Sequence, residues 1–316
     1  MKKLGILIFF FFLIPFFTIS SYADGVVLSL GGDEATSLPC GVPYRDAGWN
    51  AFDAEGNDLS GLVHVTGKVN AMKCGEYVLE YSLTAPAGES ARARRTVRVT
   101  PNALPEKREE TEKTIYLTYD DGPTQYTDEL LELLDEYEAK ASFFVIGGEA
   151  AKYPDSVRKA FDGGHSIGVH CNTHDYYKLY SSEDGFLDDL CAARETVFDL
   201  TGQRPSIYRF PGSSETAYQF SAKKIDGGFD TLKNDLSDLG MEFFDWDDSA
   251  DSKSISPGDC AYRIMKLAEK RETLIVLLHD TKYGCIPATR RLLELGREKG
   301  FCFKGLEPSD GTTHFR

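Results

Sequence analysis

"IYLTYDDGPT", residues 115–124, runs a short apolar segment straight into two adjacent carboxylates, Asp120 and Asp121. An apolar run bounded by Asp, Gly and Pro reads as a buried strand ending in a turn. Two like charges side by side destabilise each other unless an opposite charge neutralises one of them. The stretch therefore asks for a cation or a cationic partner from elsewhere in the chain. It also marks a change of texture, because the sequence on its two sides is built differently.

Downstream, strand-like runs "IYLTY", "ASFFVI", "SIGVH", "IYRF", "MEFFDW", "LIVLLH" and "FCFKGL" alternate with helix-like stretches. Those stretches include "TDELLELLDEYE", "FLDDLCAARETVFDLTG" and "IPATRRLLELGREKG", the last stopped by Gly300. Apolar strands alternating with amphipathic helices predict an α/β fold with a parallel sheet over 114–316. Seven such strands suit an incomplete or distorted barrel better than a complete eightfold one.

Upstream, residues 24–100 read as all-β. "VVLSL", "LVHVTG", "GEYVLEYSL" and "ARRTVRVT" alternate apolar and polar residues between Gly, Asp and Asn clusters, which suggests a small sandwich. Residues 101–113 are dense in charge, flanked by proline and without apolar periodicity, and so read as a linker. Residues 1–23 read as a secretory signal peptide: Lys2 and Lys3, an apolar stretch broken by Pro15, then Ser21-Tyr22-Ala23 as a small-x-small cleavage site. The expected location is secreted or cell envelope, with an uncleaved anchor the lesser alternative and no stable membrane span after cleavage.

The chain of 316 residues carries a formal net charge of -15. That balance argues against nucleic acid or an anionic membrane as the main partner. Seven cysteines leave at least one unpaired, and none shows a zinc-ribbon spacing.

In barrels of this kind chemistry collects at the C-terminal ends of the strands. Asp120 and Asp121 end the first run, His170 ends "SIGVH" with His174 four residues on, and Arg209 ends "IYR". Asp245, Asp248 and Asp251 follow "MEFF", and His279 ends "LIVLLH". Two histidines and one carboxylate leave positions open for water and substrate, the arrangement of a catalytic divalent ion. One of the paired aspartates can be the third ligand while the other takes a proton from water.

"TYDDGPT", "HCNTH", "RFPG", "DWDDSAD" and "LLHD" resemble the five motifs of the NodB-like polysaccharide deacetylases, carbohydrate esterase family four. The likeness covers about residues 114–303. It implies a deformed (β/α)7 barrel and metal-dependent removal of acetyl groups from glycans, most simply with Zn2+, or with Co2+ or Ni2+. By position it implies Asp120 as general base, with Asp121, His170 and His174 as metal ligands. Arg209 would orient the base and His279 would be the general acid. Gly212 would offer an N–H to the oxyanion, and Leu277 would line the acetyl pocket. Trp246 could stack on a sugar or fill the core. The segment containing "GEYVLEYSL" resembles the immunoglobulin-like modules of bacterial surface proteins.

The sequence departs from the family pattern in two places. Ser249 stands where an Asp is usual, leaving Asp248 or Asp251 to tune His279, and Asp175 replaces a Pro after the second ligand histidine. The expected function is exported deacetylation of an N-acetylated glycan, peptidoglycan or chitin-like. The alternatives are an O-acetyl esterase of xylan type and a non-catalytic wall-binding protein.

Overall fold

A computed structural model describes residues 17–23, 25–251, 256–271 and 273–315. The chain divides into two compact units, Met1–Thr100 and Pro101–Arg316.

The first unit is all strand apart from one short turn of helix. Its strands are β1 (Phe17–Ala23), β2 (Val26–Gly31), β3 (Ala35–Pro39), β4 (Trp49–Phe52), β5 (His64–Thr66), β6 (Gly75–Thr84) and β7 (Ser90–Thr100). They form two sheets, β1-β2-β4 and β3-β7-β6-β5. Of the expected leader, residues 1–16 lie outside the described residues, and 17–23 pair as β1 antiparallel to β2. The two sheets bury Val26, Leu28, Leu30, Ala51, Leu79, Tyr81, Leu83, Ala91 and Ala93 between them. This is the sandwich that the alternating pattern requires.

Strand β7 shows how literally the pleat is obeyed. Ala91, Ala93, Val97 and Val99 face inward, and so does Arg95, at 1% exposure. Its guanidinium donates to Asp46 Oδ1 at 2.6 Å and to the carbonyls of Gly31 and Asp33. The Tyr81 hydroxyl donates to the other oxygen of Asp46. A buried cation is tolerated only when its donors are matched in this way.

The second unit contains strands β8 (Thr114–Asp120), β9 (Ser142–Ile146), β10 (Ser166–Cys171), β11 (Ile207–Tyr208), β12 (Glu242–Phe243), β13 (Asp248–Ser249), β14 (Thr273–His279) and β15 (Cys302–Phe303). Between them lie helices α1 (Thr127–Glu136), α2 (Gly147–Lys152), α3 (Pro154–Asp162), α4 (Tyr176–Leu179), α5 (Glu183–Thr201), α6 (Ser214–Ser221), α7 (Phe229–Asp238), α8 (Pro257–Ala268) and α9 (Cys285–Glu298). The path β12-β11-β10-β9-β8-β14-β13 is parallel throughout, and its two end strands are not paired with each other. It is the incomplete barrel expected of seven strands. The eighth short strand, β15, pairs with the N-terminal half of β8.

Strand β8 sits centrally and is buried at every residue, as a parallel strand covered on both faces must be. "MEFFDW", expected as a strand, is one only over Glu242–Phe243; β13 begins two residues past the stretch, and Asp245 between the two strands is buried. Its carboxylate accepts from Ser214 N and Oγ and from Phe315 N.

Residues 101–113, expected as a linker, are laid along the second unit. Asn102 bonds Asp238 O, Lys107 pairs with Glu242 at 2.6 Å, Arg108 with Asp310 at 2.7 Å, and Glu110 with Lys304 at 3.1 Å. No helix among the described residues is long and apolar enough to cross a membrane.

The buried arginine of the sandwich generates a test. Arg95→Leu should destabilise the first unit by about 3 kcal/mol, because it takes the cation from Asp46 and a donor from each of two carbonyls. Hydrogen exchange of the β6 and β7 amides reads this directly, and unchanged protection would show that Arg95 contributes nothing net.

Candidate active site

The polar residues singled out from sequence converge at the C-terminal ends of β8, β10, β11 and β14. Register fixes the first pairing: Asp120 on β8 lies beside His279 on β14. Two parallel strands of seven residues each reach the same edge together.

Arg209 follows β11 and is fully buried. Its Nη1 donates to Asp120 Oδ1 at 2.9 Å and to Thr118 Oγ1 at 2.6 Å, its Nε to Phe244 O at 2.8 Å, and its Nη2 to Asp245 O at 3.1 Å. The guanidinium lies over the Phe144 ring at 4.2 Å and near Trp246 at 5.7 Å. Asp120, at 3% exposure, thus ends its strand against a fixed cation.

Asp121 faces elsewhere. Its φ of +72° takes it out of the strand conformation, so adjacent carboxylates serve different neighbours. Asp121, His170 and His174 present one ligand atom each, all within 4.8 Å of one another. Asp121 Oδ1 is 3.4 Å from His170 Nε2 and 3.3 Å from His174 Nε2. That oxygen is buried and has no hydrogen-bond partner. An orphaned anionic oxygen facing two imidazole nitrogens is the donor set of a divalent cation, and the residues fit one.

The other nitrogen of His170 supports this reading. His170 Nδ1 lies 2.8 Å from Arg209 O, and a proton donated there leaves the Nε2 lone pair for a metal. Burial keeps the His170 pKa below the ordinary histidine range, favouring the neutral ring that ligation needs. His174 takes its place through a backbone φ of +57°. Asp121, His174 and Ser213 are three of the four non-glycine residues at positive φ among the described residues, the fourth being Glu138. Strain of this kind concentrates where function holds it.

Asp175, which stands where Pro is usual, turns its carboxylate to the backbone of α4. It is the N-cap of α4, accepting from Tyr177 N and Lys178 N.

On the other flank the open question about His279 has an answer. His279 Nδ1 lies 2.8 Å from Asp251 Oδ2, which also accepts the His279 backbone N–H at 3.0 Å. Asp248 is occupied by Arg263, and Ser249 Oγ donates to Asp251. Burial pulls the His279 pKa down. The Asp251 hydrogen bond and the charges of Asp120, Asp251 and Asp121 outweigh that pull and leave it above the ordinary histidine value.

Leu277 is buried on β14 opposite Thr118. Gly212 is exposed at φ +78°, and a Cβ there would sit 3.0 Å from the Tyr176 hydroxyl. Trp246 is half-buried, edge-on to Phe315. His165 and Cys171 are structural. His165 Nδ1 accepts from Ala141 N, and burial lowers its pKa to about 4. Burial of Cys171 pushes its thiol far up.

Asp280, the residue after His279, braces the turn that follows the paired aspartates. It is fully buried, with Oδ2 accepting from Thr127 Oγ1 at 2.6 Å while its backbone carbonyl accepts from Thr124 Oγ1 at 2.6 Å. Burial raises its pKa to about 7. A Cβ on Gly122 would lie 2.2 Å from either carboxylate oxygen, so the glycine after the paired aspartates is what lets Asp280 fit. Its position beside His279 was the available signal, but nothing local in the sequence reveals that it is buried.

Comparison with known proteins finds relatives for both units. The family described as Polysaccharide deacetylase matches residues 107–226, and the Ig-like domain of bacterial surface proteins matches residues 28–99. A peptidoglycan-N-acetylglucosamine deacetylase of Bacillus cereus is 27% identical over 254 residues, covering 77% of this chain and 90% of its own. A chitooligosaccharide deacetylase of Rhizobium leguminosarum is 30% identical over 178 residues, covering 56% of this chain and 74% of its own. The crystal structure of the catalytic domain of a peptidoglycan N-acetylglucosamine deacetylase from Eubacterium rectale superimposes with a TM-score of 0.62 at 32% identity, covering 68% of this chain and 97% of that one. The chain belongs to the polysaccharide deacetylase family, its deacetylase domain preceded by a bacterial surface immunoglobulin-like domain.

Proposed function

We propose that this protein is an exported, metal-dependent deacetylase that hydrolyses N-acetyl groups of a cell-wall or amino-sugar glycan. The observation that carries the reading is the orphaned Asp121 oxygen facing two imidazole nitrogens, beside a buried Asp120–Arg209 pair and a His279–Asp251 pair. The relatives named as peptidoglycan and chitooligosaccharide deacetylases support an amino-sugar polymer. The leader-like sequence of residues 1–23 and the surface-type module support an envelope location.

Asp121, His170 and His174 would hold a divalent ion, with Zn2+ the best fit to two nitrogens and one oxygen. Such an ion activates water near neutral pH and polarises the acetyl carbonyl. Asp120 takes the proton of the attacking water, held in place by Arg209. Gly212 offers its backbone N–H where negative charge develops. Leu277 packs against the acetyl methyl. His279 delivers a proton to the departing amine, and Asp251 keeps it protonated for that step.

Three experiments check this reading. Metal-stripped protein should release acetate from chito-oligosaccharides or peptidoglycan only after zinc or cobalt is restored. Release from acetylated xylan alone would replace the N-acetyl assignment with an O-acetyl one. Asp120→Asn should lower turnover by about 10³-fold or more while keeping the metal, whereas His170→Ala should lose both. Equal metal loss in the two variants would mean that the aspartates have exchanged roles.

The third experiment is a pH profile. Activity that needs protonated His279 is lost as pH rises through its pKa, which the Asp251 contact helps hold above the ordinary value. Asp251→Asn should therefore move the alkaline limb of kcat/KM to lower pH, and an unmoved limb would remove His279 from the acid role.

A further inference from the structure

Cys40 and Cys74 are the two cysteines of the first unit, and the fold brings both to one end of strand β7. Cys40 directly follows β3, whose last residue, Pro39, lies beside Thr100, and its own N–H donates to Thr100 O at 2.8 Å. Cys74 directly precedes β6, whose first residue, Gly75, lies opposite Val99. Within the sheet β7 holds β3 and β6 about 10 Å apart, two strand spacings. Past the end of β7 the two chains close up, and Gly41 N–H donates directly to Ala71 O at 2.7 Å. The turn Asn70–Lys73, closed by a bond from Lys73 N to Asn70 O, then carries the chain back to Cys74.

The 35 residues from Cys40 to Cys74 are the part of the module that its sheets secure least. They hold two strands, β4 of four residues and β5 of three, each at the edge of its sheet. Elsewhere the segment runs in turns and loops, with one short turn of helix. Edge strands this short have few ladder bonds to lose and are the first to open. A cross-link between the two ends of the segment removes much of the disorder available to it in the unfolded chain. The other five cysteines lie in the second unit, where Cys171, Cys260 and Cys285 are fully buried. Within their own unit, Cys40 and Cys74 have each other.

We propose that Cys40 and Cys74 form a disulfide once the chain reaches an oxidising exterior, and that this bond staples the immunoglobulin-like module. This goes beyond the deacetylase reading and needs only its export half. The oxidant is a second disulfide, either that of a dithiol oxidoreductase or glutathione disulfide. Cys74 is half-buried and Cys40 is 3% exposed, so Cys74 meets the oxidant first. Its thiolate attacks one sulfur of the incoming disulfide, expels the other as a thiolate and holds a mixed disulfide. The Cys40 thiolate then attacks Cys74 Sγ and expels the second thiolate. The two cysteines lose two protons and two electrons, and the incoming disulfide leaves as two thiols.

Thiol mapping of the full chain reads the bond directly. The protein is equilibrated with glutathione disulfide, unfolded and alkylated without reductant. Cys40 and Cys74 should both escape the label and appear in one linked peptide, and reduction before alkylation should release both. Label or glutathione on either cysteine of the unreduced chain, or a link from either to a cysteine of the second unit, overturns the proposal. Stability reads the staple. The melting transition of the first unit, followed through hydrogen exchange of the β6 and β7 amides, should fall by about 15 °C on reduction. The double variant Cys40→Ser, Cys74→Ser should melt like the reduced parent and ignore reductant. A first-unit transition unmoved by reduction overturns the stapling role. Parent protein that carries the bond yet releases no acetate would sink the deacetylase reading and leave the staple standing.

Discussion

The buried pairing of Arg209 with Asp120 is the constraint around which the deacetylase domain is arranged. Both groups are withdrawn from water, so each needs the other, and breaking one side of such a pair costs about 3–5 kcal/mol. The guanidinium also ties the ends of three strand regions together. It reaches Thr118 and Asp120 on β8, the Phe244 carbonyl just past β12, and the carbonyl of Asp245. The carbonyl of Arg209 itself accepts from His170, so one residue orients the proposed base and one proposed metal ligand. Fold and site cannot be separated here: the strand ends stay together because the charges demand it.

Asp245 extends this logic to the chain terminus. Its carboxylate joins the start of α6, where Ser214 donates, to Phe315 near the C-terminus. Its backbone carbonyl is one of the four acceptors of Arg209. The C-terminal residues therefore help hold the loop containing Gly212 in register with the arginine. On the other side Asp280 braces the turn after Asp121 through Thr124 and Thr127. Two fully buried carboxylates, neither facing a paired cation, thus fix the two loops between which a substrate would lie.

The barrel was legible in the sequence because its strands are nearly continuous apolar runs, and two of the longest, β8 and β14, end on a titratable residue. "LIVLLH" and "IYLTYDD" state both the strand and its functional end. Helices α1, α5 and α9 carry plain amphipathic patterns, whereas α4 and α6 are short and set by caps at Asp175 and Ser213. What stayed hidden depends on distance in sequence. Only the folded chain reveals that Asp251 rather than Asp248 meets His279, because Arg263 on α8 claims the latter. Arg95 was unreadable for a similar reason. In "ARARRTVRV" its charge argues for the surface, and only Asp46, far back in the chain, makes the inward pleat acceptable. Residues 101–113 look like linker by composition, yet Lys107, Arg108 and Glu112 pair with Glu242, Asp310 and Lys304.

The paired aspartates show how backbone geometry divides two identical side chains. In a regular strand, neighbours point to opposite faces, so Asp120 and Asp121 could already diverge. The strand ends at Asp120, and the left-handed φ of Asp121 turns the second carboxylate away toward β10. Gly122 follows because any Cβ there would strike Asp280. The first carboxylate is met by an arginine and the second by two histidines, so the repulsion that the bare sequence implies never has to be borne. Burial alone would raise the pKa of Asp121, but its histidine neighbours hold it at about 2, so it remains an anion across the physiological range. A buried anionic oxygen facing two imidazole nitrogens is a candidate site for a divalent cation. The demand for positive charge raised by two letters of sequence is thus answered in two places, by Arg209 at Asp120 and by the paired histidines of the candidate metal site at Asp121.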